Sequence, residues 1–245
     1  MGTNERFTVK FVSSQEEMKE VEKLRFEDML TEYRSDLQGQ QCHDLSEIDD
    51  DALHLIVYDN QNKVIAGYYR MLTSDIVGSG NFVCEEEFDI SALKNTGCGI
   101  CELSRAVVKK EYRSGVTVLL LWKFIINYCL ERGYRYMVGD VSFMGTDRNS
   151  YLEELSYLAN NYGIDAKYNV RSLDKEPQPQ LLAPSQYDEA AVKRKLPTLF
   201  KAYTAIGGKL SAESFVDYDF GSVDLFVLVD LEDCNMAYIN RLLSM

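Results

Sequence analysis

The chain has 245 residues, 46% hydrophobic and 27% charged, with a formal net charge of −13. That length allows a sizeable buried core, and the acidic surplus argues against nonspecific nucleic-acid binding, which runs on phosphate neutralisation. The most apolar stretch, Val116–Trp122, is too short to span a bilayer, and six scattered cysteines in so long a chain read as reduced thiols rather than a disulfide framework.

The opening Met-Gly-Thr-Asn-Glu-Arg has no apolar stretch, so no leader peptide is expected, and Arg6 departs from the myristoylation pattern. Ser14 and Glu17 form a capping-box pattern, and Met18, Val21, Leu24 and Met29 follow at helical spacing, predicting a helix over 15–33. Arg25 lies on its apolar stripe, so the guanidinium either snorkels or is aimed into a pocket. A polar stretch follows, with acids at 44, 47, 49, 50 and 51. LHLIVYD (53–59) and VIAGYYRML (64–72), joined by NQNK, read as a β-hairpin. Arg70 shares a strand face with Val64, Ala66 and Tyr68, and a guanidinium in phase with core residues needs an anion.

Residues 74–97 are loop-rich, with a short helix expected near 85–94. A strand at 100–108, a turn at 109–115 and a helix at 116–132 follow. Beyond them come a strand at 135–143, a helix at 149–162, a Pro-rich loop at 175–184, a helix at 188–206 ended by Gly207-Gly208, a strand at 224–231 and a C-terminal helix. Interleaved strands and helices predict an α/β fold, a mixed sheet flanked by helices, in one domain over 1–245. Cys98-Gly-Ile-Cys101 has redox spacing but leads into a strand, where the redox motif is not expected. With only His43 and His54 and no second CxxC pair, no metal site is expected, and no GxSxG elbow is present.

The strand at 100–108 carries Glu102, Ser104 and Arg105 among its apolar residues. The turn after it, Arg113-Ser114-Gly115-Val116-Thr117, opens a helix whose free amides and dipole suit a phosphate, such as those of phosphopantetheine or coenzyme A. Acyl transfer from a thioester to an amine needs a proton acceptor, an oxyanion site and a leaving thiolate. Glu102 suits the first role, and Arg25, Arg70 or Arg105 would fork an acceptor's carboxylate. The other reading makes Glu102 the ion-pair partner of Arg70 or Arg105, holding the sheet together. The basic clusters Lys109, Lys110, Arg113 and Lys193-Arg194-Lys195 read as solvated faces or as docking patches for an acidic partner.

The sequence resembles the bacterial acyl-carrier-protein-dependent N-acyltransferases that make amino-acid lipids. Ornithine lipid synthases are among them, a haemolysin-like GNAT family related to the acyl-homoserine lactone synthases. The resemblance runs through LRFEDML (24–30), IDDDALHLIVYD (48–59), VIAGYYRML, CELSRAVVKKEYRSGVTVLLLW (101–122), YMVGDVSFMGTD (136–147) and the late segment from 199 to 231. It implies a GNAT-like, mostly antiparallel central sheet flanked by helices, with a C-terminal extension. It also implies that Arg25, Asp49, Arg70, Glu102 and Arg105 surround the acyl-transfer pocket, while Arg113, Ser114, Gly115, Val116 and Thr117 hold the phosphopantetheine arm. Where the family carries two aspartates three apart, this sequence has Ser46 and Asp49.

The implied reaction moves a long-chain (3-hydroxy)acyl group from acyl carrier protein, or from acyl-CoA, to the amine of a small amino acid, with no permanently bound cofactor. A cytoplasmic location with peripheral contact at the inner membrane goes with it. An autoinducer-type synthase and a non-catalytic acyl-carrier or lipid-binding module are the alternatives.

Overall fold

The computed structural model describes residues 6–40 and 44–244; the opening residues, Cys42 and His43 lie outside them. The described chain falls into two compact units: Met1–Gly78 with Leu103–Arg132, and Ser79–Glu102 with Gly133–Met245.

In the first unit β1 (Phe7–Phe11) pairs antiparallel with β2 (Leu53–Asp59), and β2 pairs antiparallel with β3 (Val64–Thr73). The other neighbour of β3 is β4 (Gly99–Val108), which belongs to this unit from Leu103 onward. Strand β1 was not among the expected elements. Its signal is the alternation of Phe7, Val9 and Phe11 with Thr8 and Lys10, the period of a half-buried strand.

Helix α1 (Gln15–Arg25) starts where expected, with the Ser14 hydroxyl accepting from the Glu17 amide at 3.1 Å. The helix predicted to run to 33 does not stay regular. A π-helical turn, Phe26–Leu30, follows Arg25, and a short helical piece, Thr31–Tyr33, ends it. Such wide turns cluster at functional sites. Helix α2 (Glu47–Asp51) precedes the hairpin. Helix α3 (Val116–Arg132) buries Thr117, Leu121, Trp122, Ile125, Ile126 and Cys129, a single face at helical spacing. It approaches β3 so closely at Gly67 that a Cβ there would lie 2.5 Å from Thr117 Cγ2, so glycine is required at that crossing.

In the second unit β5 (Tyr134–Met144) pairs parallel with the Gly99–Glu102 end of β4 and antiparallel with β6 (Ser222–Asp230). The pieces Lys209–Leu210 and Phe215–Asp217 also pair antiparallel with β6. Strand β6 is buried from Ser222 to Val229, which is why it reads as a nearly continuous apolar run. Helices α4 (Leu152–Tyr162), α5 (Glu189–Lys195), α6 (Thr198–Ala205) and α7 (Met236–Ser244) complete the unit.

One predicted helix is corrected: 188–206 is two helices. Leu196, just before Pro197, is extended (φ −51°, ψ 134°), because the proline ring disfavours helical geometry in the residue before it. The strand pairing is mostly antiparallel and the strands are flanked by helices, the mixed α/β architecture expected.

Candidate active site

Arg25 and Arg70 of the first unit meet at Asp49. Its Oδ1 accepts from Arg25 Nη1 at 2.6 Å and from Arg70 Nη1 at 3.4 Å. Arg25 Nε donates to Asp44 Oδ2 at 2.7 Å, and Arg105 Nε lies 3.6 Å from that same oxygen. Arg70 Nε donates to Ser104 Oγ at 2.9 Å. Three guanidinium groups thus meet two carboxylates. Arg25, Arg70 and Asp49 are buried, whereas the Arg105 side chain keeps 32% of its surface exposed.

Local backbone geometry builds this arrangement. Ser46 caps α2, its amide and hydroxyl donating to Asp49 Oδ2 at 2.9 and 3.2 Å. Ser46 therefore orients Asp49, and Asp44 supplies a second carboxylate to Arg25. On β4, Arg105 has φ +54°, a left-handed conformation that costs energy in a non-glycine residue. In a regular strand Ser104 and Arg105 would face opposite ways. Here Ser104 meets Arg70 while Arg105 meets Asp44, which itself pairs with Arg25. This local distortion lets consecutive residues serve one cluster.

Burial opposes ionisation of Asp49, yet the hydrogen bond and charge of Arg25, with the Ser46 amide and Arg70, hold its carboxyl below the ordinary range. Burial also opposes the Arg25 cation, but Tyr68, Asp44 and Asp49 more than offset it and raise the pKa. Arg70 moves the other way, lowered by burial and then by Arg105. Arg70 and Arg105 therefore feel one another.

The sequence reading missed three members: Asp44, His54 and Tyr68. His54 Nδ1 lies 2.8 Å from Tyr68 Oη, His54 Nε2 lies 2.7 Å from the Asp49 carbonyl oxygen, and Arg25 Nη1 lies 3.5 Å from Tyr68 Oη. The available signal was the hairpin register, which sets His54 opposite Arg70.

Glu102 ends the second unit's share of β4, three residues before Arg105. It is 1% exposed. Its Oε2 accepts from the Val83 amide at 2.9 Å and its Oε1 from the Cys84 amide at 2.6 Å. These two main-chain bonds fix the orientation of its carboxylate. Burial, then the Glu102 charge, push the Cys84 thiol well up, which makes it a poor nucleophile at neutral pH.

The turn at 113–117 divides by side chain. Arg113 donates to the Val108 carbonyl (2.9 Å), Glu32 Oε1 (2.9 Å) and the Asp28 carbonyl (2.8 Å), so it is folded back onto the π-helical segment and Glu32. Thr117 is buried beneath Gly67, and its hydroxyl donates to the Tyr112 carbonyl at 3.4 Å. Ser114 and Val116 are exposed, and Gly115 has φ +96°. A helix start leaves its first amides without intrahelical partners, so an anion here would meet main chain and Ser114.

In the second unit, Glu87, Asp217 and Asp224 bring carboxylate oxygens within 4.8 Å of one another; nothing in the chemistry below uses them. No helix among the described residues is long and apolar enough to cross a membrane.

A family model described as an acetyltransferase (GNAT) domain matches residues 24–123, which holds the whole arginine–aspartate cluster, Glu102 and the 113–117 turn. The L-ornithine N(alpha)-acyltransferase of Rhodobacter capsulatus is 30% identical over 186 residues, covering 73% of this chain and 71% of that protein. The chain belongs to this GNAT acyltransferase family. A second member, the L-ornithine N(alpha)-acyltransferase of Brucella abortus, is 27% identical over 244 residues, covering 95% of this chain and 87% of its own.

Among solved structures, FeeM, an N-acyl amino acid synthase from uncultured soil microbes, superposes with a TM-score of 0.52 at 8% identity, covering 95% of this chain and 96% of that one. The CoA-dependent acyl-homoserine lactone synthase BjaI superposes with a TM-score of 0.54 at 13% identity, covering 96% and 87%. At such identities these two establish the fold alone. As a member of the GNAT acyltransferase family, the protein is an amide-forming acyltransferase.

Proposed function

We propose that the enzyme acylates the amine of a small amino acid, with ornithine the leading acceptor, in the formation of an aminolipid. The observation that supports this reading is the gathering of Arg25, Arg70 and Arg105 around Asp44 and Asp49, with Arg105 partly exposed. Guanidinium groups are suited to fork a carboxylate, and the acceptor's carboxylate would join this cluster. Arg105 is the arm for it, since about a third of its side chain is exposed whereas Arg25 and Arg70 are buried. Charge-assisted forks of this kind are the strong hydrogen bonds of recognition.

In the proposed mechanism Glu102 takes a proton from the acceptor's ammonium, directly or through a water. The amine attacks the thioester carbonyl, the C–N bond forms as the C–S bond breaks, and the thiolate leaves with the donor's arm. Main-chain amides of the 113–117 turn and Ser114 would hold a phosphate of that arm, and Arg113 would join once Glu32 released it. The donor is a long-chain acyl thioester on acyl carrier protein or coenzyme A. Lys109, Lys110 and Arg113, and in the second unit Lys193-Arg194-Lys195, suit an acidic carrier. The product would be an amphiphile, which makes peripheral contact with a membrane part of the proposal.

The test is acyl transfer by the purified enzyme, offered long-chain acyl carrier protein or acyl-CoA and a panel of amino acids, with products read by mass spectrometry. A single favoured amino acid, and a fall in kcat of about 10²–10⁴-fold in Glu102→Gln, is the expected result. Tight donor binding with no N-acyl product from any acceptor would overturn the reading.

A further inference from the structure

Glu102 takes its orientation from a turn, and the turn has its own fastening. Residues Val83–Glu86 form a tight helical turn. Its first two amides are the ones that donate to Glu102, Val83 to Oε2 at 2.9 Å and Cys84 to Oε1 at 2.6 Å. Each carboxylate oxygen has a main-chain donor from the same turn, so a shift of the turn would turn the carboxylate with it or strip those donors away.

Glu85 closes the turn. Its Oε2 accepts from the Phe82 amide at 2.7 Å while its own amide donates to the Phe82 carbonyl at 3.2 Å, a reciprocal pairing like that of a capping box. Lys94, which ends the short helix Ser91–Lys94, grips the same loop. Its ammonium lies 2.9 Å from both Glu85 carboxylate oxygens, 3.2 Å from the Gly80 carbonyl oxygen and 3.5 Å from Asn81 Oδ1. The Lys94 and Glu85 side chains keep 31% and 15% of their surface exposed. A partly exposed pair of this kind adds little to global stability; what it does here is hold the loop whose amides meet Glu102.

We propose that Lys94 and Glu85 are positioning residues for Glu102: together they hold the 80–86 turn so that the Val83 and Cys84 amides keep the carboxylate aimed and ionised. The proposal rests on the reading of Glu102 as proton acceptor above. Burial favours the neutral acid and amide donors favour the anion. Loosening the turn therefore moves Glu102 toward its protonated form, which cannot take a proton from the acceptor's ammonium. The other titratable group against Glu102 is the Cys84 thiol, on which Glu102, Asp140 from β5 and Glu85 all act. Asp140 and Glu85 are acids, so their charge pushes Glu102 in the same direction as burial.

The experiment measures kcat against pH, with both substrates saturating, for the full-length enzyme and its Lys94→Met, Lys94→Arg, Glu85→Ala and Glu102→Gln variants. Lys94→Met removes a positive charge and Glu85→Ala a negative one, yet both release the turn. Both should move the acid limb of the profile to higher pH. On that limb kcat falls about 10-fold, as weakened hydrogen bonds to a charged group imply, and on the plateau above it kcat is unchanged. Acceptor and donor KM stay within about two-fold. Lys94→Arg keeps the charge and its donors, and follows the wild-type profile.

A limb that moves to lower pH in Glu85→Ala would show a plain effect of charge and overturn the proposal. A limb at its wild-type place in either Lys94→Met or Glu85→Ala, whatever the change in Tm, reduces the pair to scaffolding and overturns it too. If Glu102→Gln keeps the wild-type limb, the proton-acceptor reading fails, and this proposal with it.

Discussion

Asp49 and Asp59 are both buried carboxylates of the first unit, and they do different work. Asp59 closes the β2–β3 turn. Its oxygens accept from the Gln61 and Asn62 amides, the Asn62 side chain, the Tyr112 hydroxyl and Arg6. These partners, the Asn62 amide first, outweigh burial and bring its pKa to about 2. Most are neutral and local, and the one cation, Arg6, balances the charge. Asp49 instead meets two guanidinium groups directly and a third through Asp44 and Arg25. A buried carboxylate saturated by amides and one cation holds a turn. One that gathers several arginines builds a basic cluster.

The largest expected effect comes from Asp49→Asn, which strands Arg25 and Arg70 in the interior. Breaking a buried charge pair on one side costs about 3–5 kcal/mol, so chemical denaturation should show a fall of that order, with acyl transfer lost as well. Arg105→Ala is the sharper probe because this side chain is not fully buried. It should lower kcat/KM for the acceptor by about 10²-fold through loss of a charge-assisted contact, with Tm and donor KM unchanged. Asp59→Asn should do the reverse, lowering Tm while leaving the acceptor's KM alone; an acceptor KM that rose would erase the distinction between the two aspartates.

The smallest effect is in pH dependence. A carboxyl depressed in the folded state adds stability above its unfolded pKa, and that stability is lost as pH falls through the folded value. For Asp59 this window runs from about pH 4 down to about 2, and Asp59→Asn should flatten the unfolding curve there. His54 has the same sign at higher pH. Its contribution is complete above about 6.5 and declines below, and His54→Gln should remove that decline.

Much of this was legible in the sequence because charges out of phase with apolar patterns announce themselves. Arg25 sits on the stripe of α1, Arg70 on the core face of β3, and Glu102 and Arg105 interrupt a buried strand. The hidden parts depend on geometry that periodicity does not encode. Asp44 reaches the cluster from an irregular segment before α2. His54 joins through hairpin register, and Arg105 turns through a left-handed backbone angle. Arg113 reads as a phosphate ligand in its local context, yet it is held by Glu32, 81 residues away. The break at Pro197 was readable from the residue before a proline, and a uniform apolar spacing obscured it.

The central proposal is that Arg105 meets the acceptor's carboxylate. The most direct measurement compares ornithine with 1,4-diaminobutane, which keeps the amines and lacks the carboxylate, as competing acceptors for wild type and Arg105→Ala. Wild type should favour ornithine by about 10²-fold in kcat/KM, and Arg105→Ala should lose most of that preference while still acylating. Equal use of the two acceptors by wild type, or full discrimination retained by Arg105→Ala, would contradict the account.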